Sequence, residues 1–142
     1  MADADALTIS WTRAQADRHR TIFQSALGSV MLVETAAAIA FFACPVWSAN
    51  TTLWPAPDAA LWVRIVGAMW LVVNLFQMPA LFDPVYQRWP NIVGLMWRFM
   101  LAALAAGLGG WGWAMAAAEL AAAIGLAILY GRLFRAELLC RP

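Results

Sequence analysis

The chain has no lysine, one histidine (His19) and two cysteines, Cys44 and Cys140. Charged residues make up 12% of its 142 positions, about half the ~25% usual in soluble domains. Each shortage excludes something. A single histidine excludes a bis-histidine haem within the chain, and there is no CxxCH motif for covalent haem. Two cysteines, far apart, exclude an iron–sulfur cluster or a cysteine-based zinc site, and no metal site is expected. A formal net charge of +1 offers no polyanion-binding surface, so nucleic acid is not an expected partner. No glycine-rich phosphate loop, Ser–His pair or HExxH is present, and a conventional enzyme is not expected. The first twenty residues carry Asp3, Asp5 and Asp17 and no compact apolar core. They do not read as a cleaved signal peptide, so the first apolar block is expected to be an uncleaved anchor.

What the chain has in quantity is apolar residues, 64% of the total. They come in long blocks, and a soluble domain of this size could not hide that much apolar surface. The expected fold is all-α: a single polytopic membrane domain over 1–142, built as a bundle of four transmembrane helices. Residues 1–20 form a polar segment, read as a surface helix capped by Thr8 or Ser10, or as a partly ordered tail. The spans are expected at about 21–43, 61–81, 91–108 and 111–130, followed by a cytoplasmic tail over 131–142. Each is near the ~20 residues needed to cross ~30 Å of hydrocarbon. "SANTTLWPAPDAA", with Pro55 and Pro57, reads as a loop whose Asp58 caps the second span. "FDPVYQRWPN" and "GLGGWG" read as the other two turns.

Arginine placement orients the chain. Arg13, Arg18, Arg20, Arg88, Arg132, Arg135 and Arg141 all fall on one side of a four-span topology, and the two loops on the other side have none. The positive-inside rule makes both termini cytoplasmic. The tryptophans fit the same map. Trp47, Trp54, Trp62, Trp111 and Trp113 mark one interface and Trp11 and Trp89 the other, while Trp70 and Trp97 lie deeper. Cys44 and Cys140 then sit on opposite sides of the bilayer, beyond disulfide reach.

Four ionisable residues lie inside the spans. Helical rise places Glu34 and Glu119 at nearly one level, with Arg64 about one turn below the outer boundary and able to reach inward to either. Arg98 falls in the inner half, level with Asn74 and Gln77, with Asp83 at the cytoplasmic edge. The expected outer polar cluster is therefore Glu34, Arg64 and Glu119. The inner layer is Asn74, Gln77 and Arg98 with Asp83. A lone charge at mid-membrane costs about 2.5–3.5 kcal/mol on insertion scales, so these groups should pair and face the bundle interior. Two readings stay open. The outer cluster is a site for a proton, a polar headgroup or a quinone oxygen, or it is an ion-pair network that fixes helix register. Small residues at Ser25 and Ser29, and at Ala118 and Ala122, have the spacing of close helix contacts.

"LWVRIVGAMWLV", "FDPVYQRW", "WRFMLA" and "AELAAAIGLAILYGRL" together resemble small bacterial membrane proteins of the DoxX-like kind, over about half the chain. That resemblance implies a multi-pass protein of the bacterial cytoplasmic membrane, an accessory subunit or partner of a membrane redox system. It makes Arg64, Arg98 and the two glutamates the positions of interest. "MLVETAAAIAFF" is superficially similar to the first helix of small multidrug resistance exporters. The extra buried charges and the seven-to-none arginine bias set this chain apart from those one-acid, often dual-topology machines.

Two functions follow. The first is a non-catalytic membrane subunit packed against a larger complex, one of electron transfer for instance. The second is a small proton-coupled carrier or a quinone- or lipid-binding protein using the intramembrane glutamates. The expected surroundings are the lipid bilayer, other membrane subunits or further copies of the chain, with lipid or quinone as the only bound group in view.

Overall fold

The computed structural model describes residues 2–51, 58–107 and 112–140, except the side chains of residues 2–11 and 51. Trp54, Pro55, Pro57, Trp111, Arg141 and most of the glycine-rich turn lie outside the described residues, as does the side chain of Trp11. Among the described residues the chain is helical apart from short turns and has no strand: α1 (Ala2–Ala43), α2 (Pro45–Thr51), α3 (Ala59–Phe82), α4 (Arg88–Gly107) and α5 (Gly112–Leu139). α1, α3, α4 and α5 are each long and apolar enough to cross a membrane.

Two boundaries differ from expectation. The polar N-terminal segment is no separate surface helix or tail. It runs without a break into the first span, because no glycine or proline interrupts the sequence before Gly28. Likewise 131–139 continues α5 rather than forming a tail. The Arg20 guanidinium donates to Glu137 at 3.0 Å and ties these two extensions together. α1 stops at Ala43 because Pro45 cannot continue it, and that proline instead opens α2, where its missing N–H costs nothing. Asp58 occupies the N-cap position of α3 but makes no side-chain capping bond. Its backbone carbonyl accepts from Leu61 and Trp62 instead.

The four long helices pack in cyclic order α1–α3–α4–α5, each against its two neighbours. Their antiparallel sense is fixed at the end that carries the described termini. There Gln24 donates its amide to the last carbonyls of α3, Leu81 at 2.8 Å and Phe82 at 3.2 Å. Arg88, the first residue of α4, lies 4.9 Å over the Phe134 ring of α5. The turn before α4 is held by Asn91, whose amide donates to the Pro84 and Gln87 carbonyls. Cys44 and Cys140 are free thiols, one at the α1–α2 junction and one just past α5, as the four-span reading expects.

The distribution of polarity is inverted relative to a soluble bundle. Leu32, Val33, Val72, Leu75 and Met96 are exposed, while Glu34, Asn74, Gln77, Asn91, Arg98 and Glu119 are buried. An exterior of this kind suits an apolar surrounding, in keeping with four helices long and apolar enough to cross a membrane. The interior is layered. Towards the termini end Phe23, Leu27, Ala80, Leu126 and Leu133 form one apolar cluster. Towards the opposite end Ala38, Trp70 and Leu101 form another, with Phe41 stacked on Trp70 at 5.3 Å. The buried glutamates and Arg98 lie between the two.

One glycine shows how tightly the polar layer is built. The Gln77 side chain occupies the space where a Cβ on Gly94 would stand, whereas a Cβ on Gly125 meets nothing within 4 Å. We predict that Gly94→Ala lowers stability by about 1–3 kcal/mol, the usual cost of overpacking, while Gly125→Ala does not. Thermal unfolding of the two variants in detergent tests this, and equal midpoints for both would contradict the close Gln77 approach.

Candidate functional site: a glutamate–arginine–glutamate centre

Arg98 projects from α4 into the middle of the bundle and is 1% exposed. Its guanidinium grips Glu34 of α1 as a fork on a fork: Nη1 donates to Oε1 and Nη2 to Oε2, the latter at 3.0 Å. Nη1 also reaches Oε2 of Glu119 on α5 at 3.4 Å. Nη2 reaches the amide oxygen of Gln77 on α3 at 3.3 Å. One side chain thus joins all four long helices. Paired forks of this kind are among the stronger charge-assisted bonds, and guanidinium geometry suits them as an ammonium would not.

The meeting follows from helix length. Glu34 stands nine residues before the end of α1, and Arg98 nine before the end of α4. Glu119 stands seven after the start of α5. At 1.5 Å per residue all three lie roughly 10–14 Å from the same end of the bundle.

Arg98 therefore takes the place expected of Arg64 beside the two acids. Arg64 is exposed and bonds to neither acid. α3 turns Val63, Gly67, Trp70, Asn74 and Gln77 inward, and Arg64 lies about 100° round the helix from that stripe. The two polar layers are also not separate, since Arg98 and Gln77 join Glu34 and Glu119 in one centre. Asn74 contributes differently, donating to the Met31 carbonyl at 3.2 Å and to the Thr35 hydroxyl at 3.1 Å, which locks α3 to α1. Asp83 stays at the end of α3, where its carboxylate accepts the Tyr86 N–H at 3.4 Å, and takes no part in the centre.

Trp70 is placed by the sequence deeper than the interfacial tryptophans and is assigned no part in the polar cluster. It is buried, and its indole N–H lies near Glu119 without a hydrogen bond of ordinary length. Arg98 Nε and Asn74 Oδ1 are also buried without a partner. These unsatisfied atoms surround the centre, and unpaired buried polar groups are costly.

Between α1 and α5 a groove of about 270 Å³ leads from the outside of the bundle to the two acids. Its walls are Ser29, Val30 and Val33 on one side and Ala118 and Ala122 on the other. The spacing of Ala118 and Ala122 suggested close helix packing. With Ser29 opposite, these small side chains instead leave the groove open at this level. Among the described residues no three His, Cys, Asp or Glu side chains converge as a metal site. The chain matches no family model, no curated protein and no solved structure.

Removing Arg98 leaves two carboxyl groups buried with no cation. We predict that Arg98→Met costs about 3–5 kcal/mol, the usual penalty for breaking a buried pair, and sharply lowers the folded yield. Arg64→Gln should leave yield and unfolding midpoint unchanged. Size-exclusion profiles of the two purified variants distinguish the arginines, and the opposite ranking would sink the assignment.

Proposed function

We propose that this chain is a multi-pass membrane protein in which the Glu34–Arg98–Glu119 centre binds a proton and, in exchange for it, a ligand drawn from the bilayer. It is a small proton-coupled carrier or a lipid- or quinone-binding protein, not an enzyme. The observation that carries this is a mismatch of charge at an accessible place. Two buried acids share one arginine, beside a groove that opens towards the surrounding lipid. With both acids ionised the centre holds one unbalanced negative charge, and with one proton bound it is neutral. Binding one proton, or one cationic ligand in its place, removes that imbalance in a low-dielectric interior, so the centre can exchange the two. A pure register device has no need of an opening. The arginine distribution supports cytoplasmic termini, and the DoxX-like resemblance supports a bacterial cytoplasmic membrane.

A second reading, an accessory subunit of a larger membrane complex, is favoured by a different surface. The outer face between α4 and α5 carries a shallow groove of about 420 Å³ lined by Phe99, Ala102, Ala106, Trp113, Ala116 and Leu120. Alanines there allow another helix to approach closely. Co-purification of larger partners in mild detergent supports this reading, and recovery of free monomers or homodimers alone counts against it.

The proton-binding reading is tested on Glu119, the acid with the weaker hold on Arg98. Glu119→Gln should fold, because Glu34 alone balances Arg98, and it should lose the pH-dependent carboxyl signal in infrared difference spectra of reconstituted protein. A variant that folds and keeps the whole signal refutes the reading. If Glu34→Gln and Glu119→Gln both fail to accumulate, the centre serves helix register.

A further inference from the structure

Resting on the proton-exchange reading, we infer that the ligand of the α1–α5 groove is an amphiphilic amine in its ammonium form, whose N–H groups replace the proton on Glu119. The two acids divide the work. Glu34 is committed to Arg98 through both oxygens. Glu119 has a single long bond to Arg98 through Oε2. It is the acid free to exchange a proton and to face a ligand.

The polar atoms of the groove select the ligand. They are the carboxylates of Glu34 and Glu119 and the hydroxyl of Ser29. The Ser29 hydroxyl spends its hydrogen on the Ser25 carbonyl at 2.8 Å, so towards the groove it can only accept. Once Glu119 is ionised, every polar atom in the groove is an acceptor and the centre carries one excess negative charge. The complementary head is a cation with several N–H donors. An ammonium meets both demands, a quaternary ammonium meets only the charge, and an alcohol meets only part of the hydrogen bonding. An anion is excluded on charge. The remaining walls, Val30, Val33, Ala118 and Ala122, are apolar and suit a hydrocarbon body that stays in the bilayer. The space of about 270 Å³ takes a head and the first few carbons of a chain, with the rest outside.

The exchange balances. The Glu119 O–H bond breaks, its proton leaves to water, and the carboxylate so formed pairs with the incoming ammonium. The charged groups around Glu119 are few. α1 presents Glu34 and α4 presents Arg98. α3 presents the neutral Trp70 and Gln77. Along α5 the nearest titratable side chain is Tyr130, about three turns away. Binding should therefore release about one proton, and affinity should rise about tenfold per pH unit while Glu119 is protonated at rest and the amine stays charged.

The experiment uses full-length protein in detergent with four probes of one chain length: octylammonium, octyltrimethylammonium, octanol and octanoate. Calorimetry in buffers of different ionisation enthalpy reports affinity and proton release together. We expect octylammonium to bind at least tenfold more tightly than the other three and to release about one proton, with Glu119→Gln losing both effects. Ser29→Ala should weaken octylammonium a few-fold and leave octyltrimethylammonium unchanged. Equal binding of octanol or octanoate, or tight octylammonium binding without proton release, overturns the inference. So does octyltrimethylammonium binding as tightly as octylammonium. The infrared carboxyl signal of Glu119 separates the two levels. Its presence with no preference for octylammonium defeats this inference alone, and its absence defeats the proton-exchange reading beneath it.

Discussion

Everything in this bundle turns on where Arg98 puts its charge. In an apolar interior a guanidinium cannot stand alone, and neither can a carboxylate. Arg98 settles both demands at one point, and because its partners come from α1, α5 and α3 that point becomes the hub of the fold. Between apolar helices in lipid there is little hydrophobic drive to choose one arrangement over another. A charged hub does choose, since any rotation or slide of α4 by one residue carries the guanidinium away from all three partners at once.

The rest of the interior is shaped to serve that hub. Gln77 needs Gly94 beneath it to reach Arg98. Asn74 anchors α3 on α1, which brings Gln77 to the right level. A Cβ on Gly67 would stand 3.2 Å from the Ala38 carbonyl, so α1 and α3 approach with no room to spare just beyond the centre. Apolar clusters on both sides then seal the layer along the bundle axis.

The four long helices were legible in the sequence because hydrophobic length is a one-dimensional property, read without knowing any neighbour. The centre was only half legible. Glu34 and Glu119 were paired from helical rise alone, and that pairing holds in three dimensions. The arginine was misassigned for an identifiable reason. A first span beginning near residue 21 sets an inner boundary where α1 has none. Counting from the opposite ends, Ala43 and Gly107, brings Glu34 and Arg98 level at once. The phase of α3 was the second missing piece. Arg64 and Val63 are adjacent in sequence, yet one is exposed and the other buried, and an evenly apolar helix gives composition no means of telling which face turns inward.

The groove remains to be explained, and it follows from the same economy of contacts. Large side chains fill other levels of the helix contacts that α1 makes: Phe41 on Trp70 between α1 and α3, and Phe23 against Tyr130 between α1 and α5 nearer the termini. At the level of the acids the α1–α5 interface thins to serine and alanine with Val30 and Val33 at the edges. A protein that needed these charges only as rivets would gain by covering them, because excluding solvent and lipid headgroups strengthens a buried ion pair. Leucine in place of Ala118 or Ala122 would do so on a helix already rich in good helix formers. Instead small side chains lie beside the two acids, and the acid with the looser hold on Arg98 is among those that line the opening. That placement ties the charge imbalance to an entry route, and it is the strongest reason to regard the centre as a working site rather than a fastening.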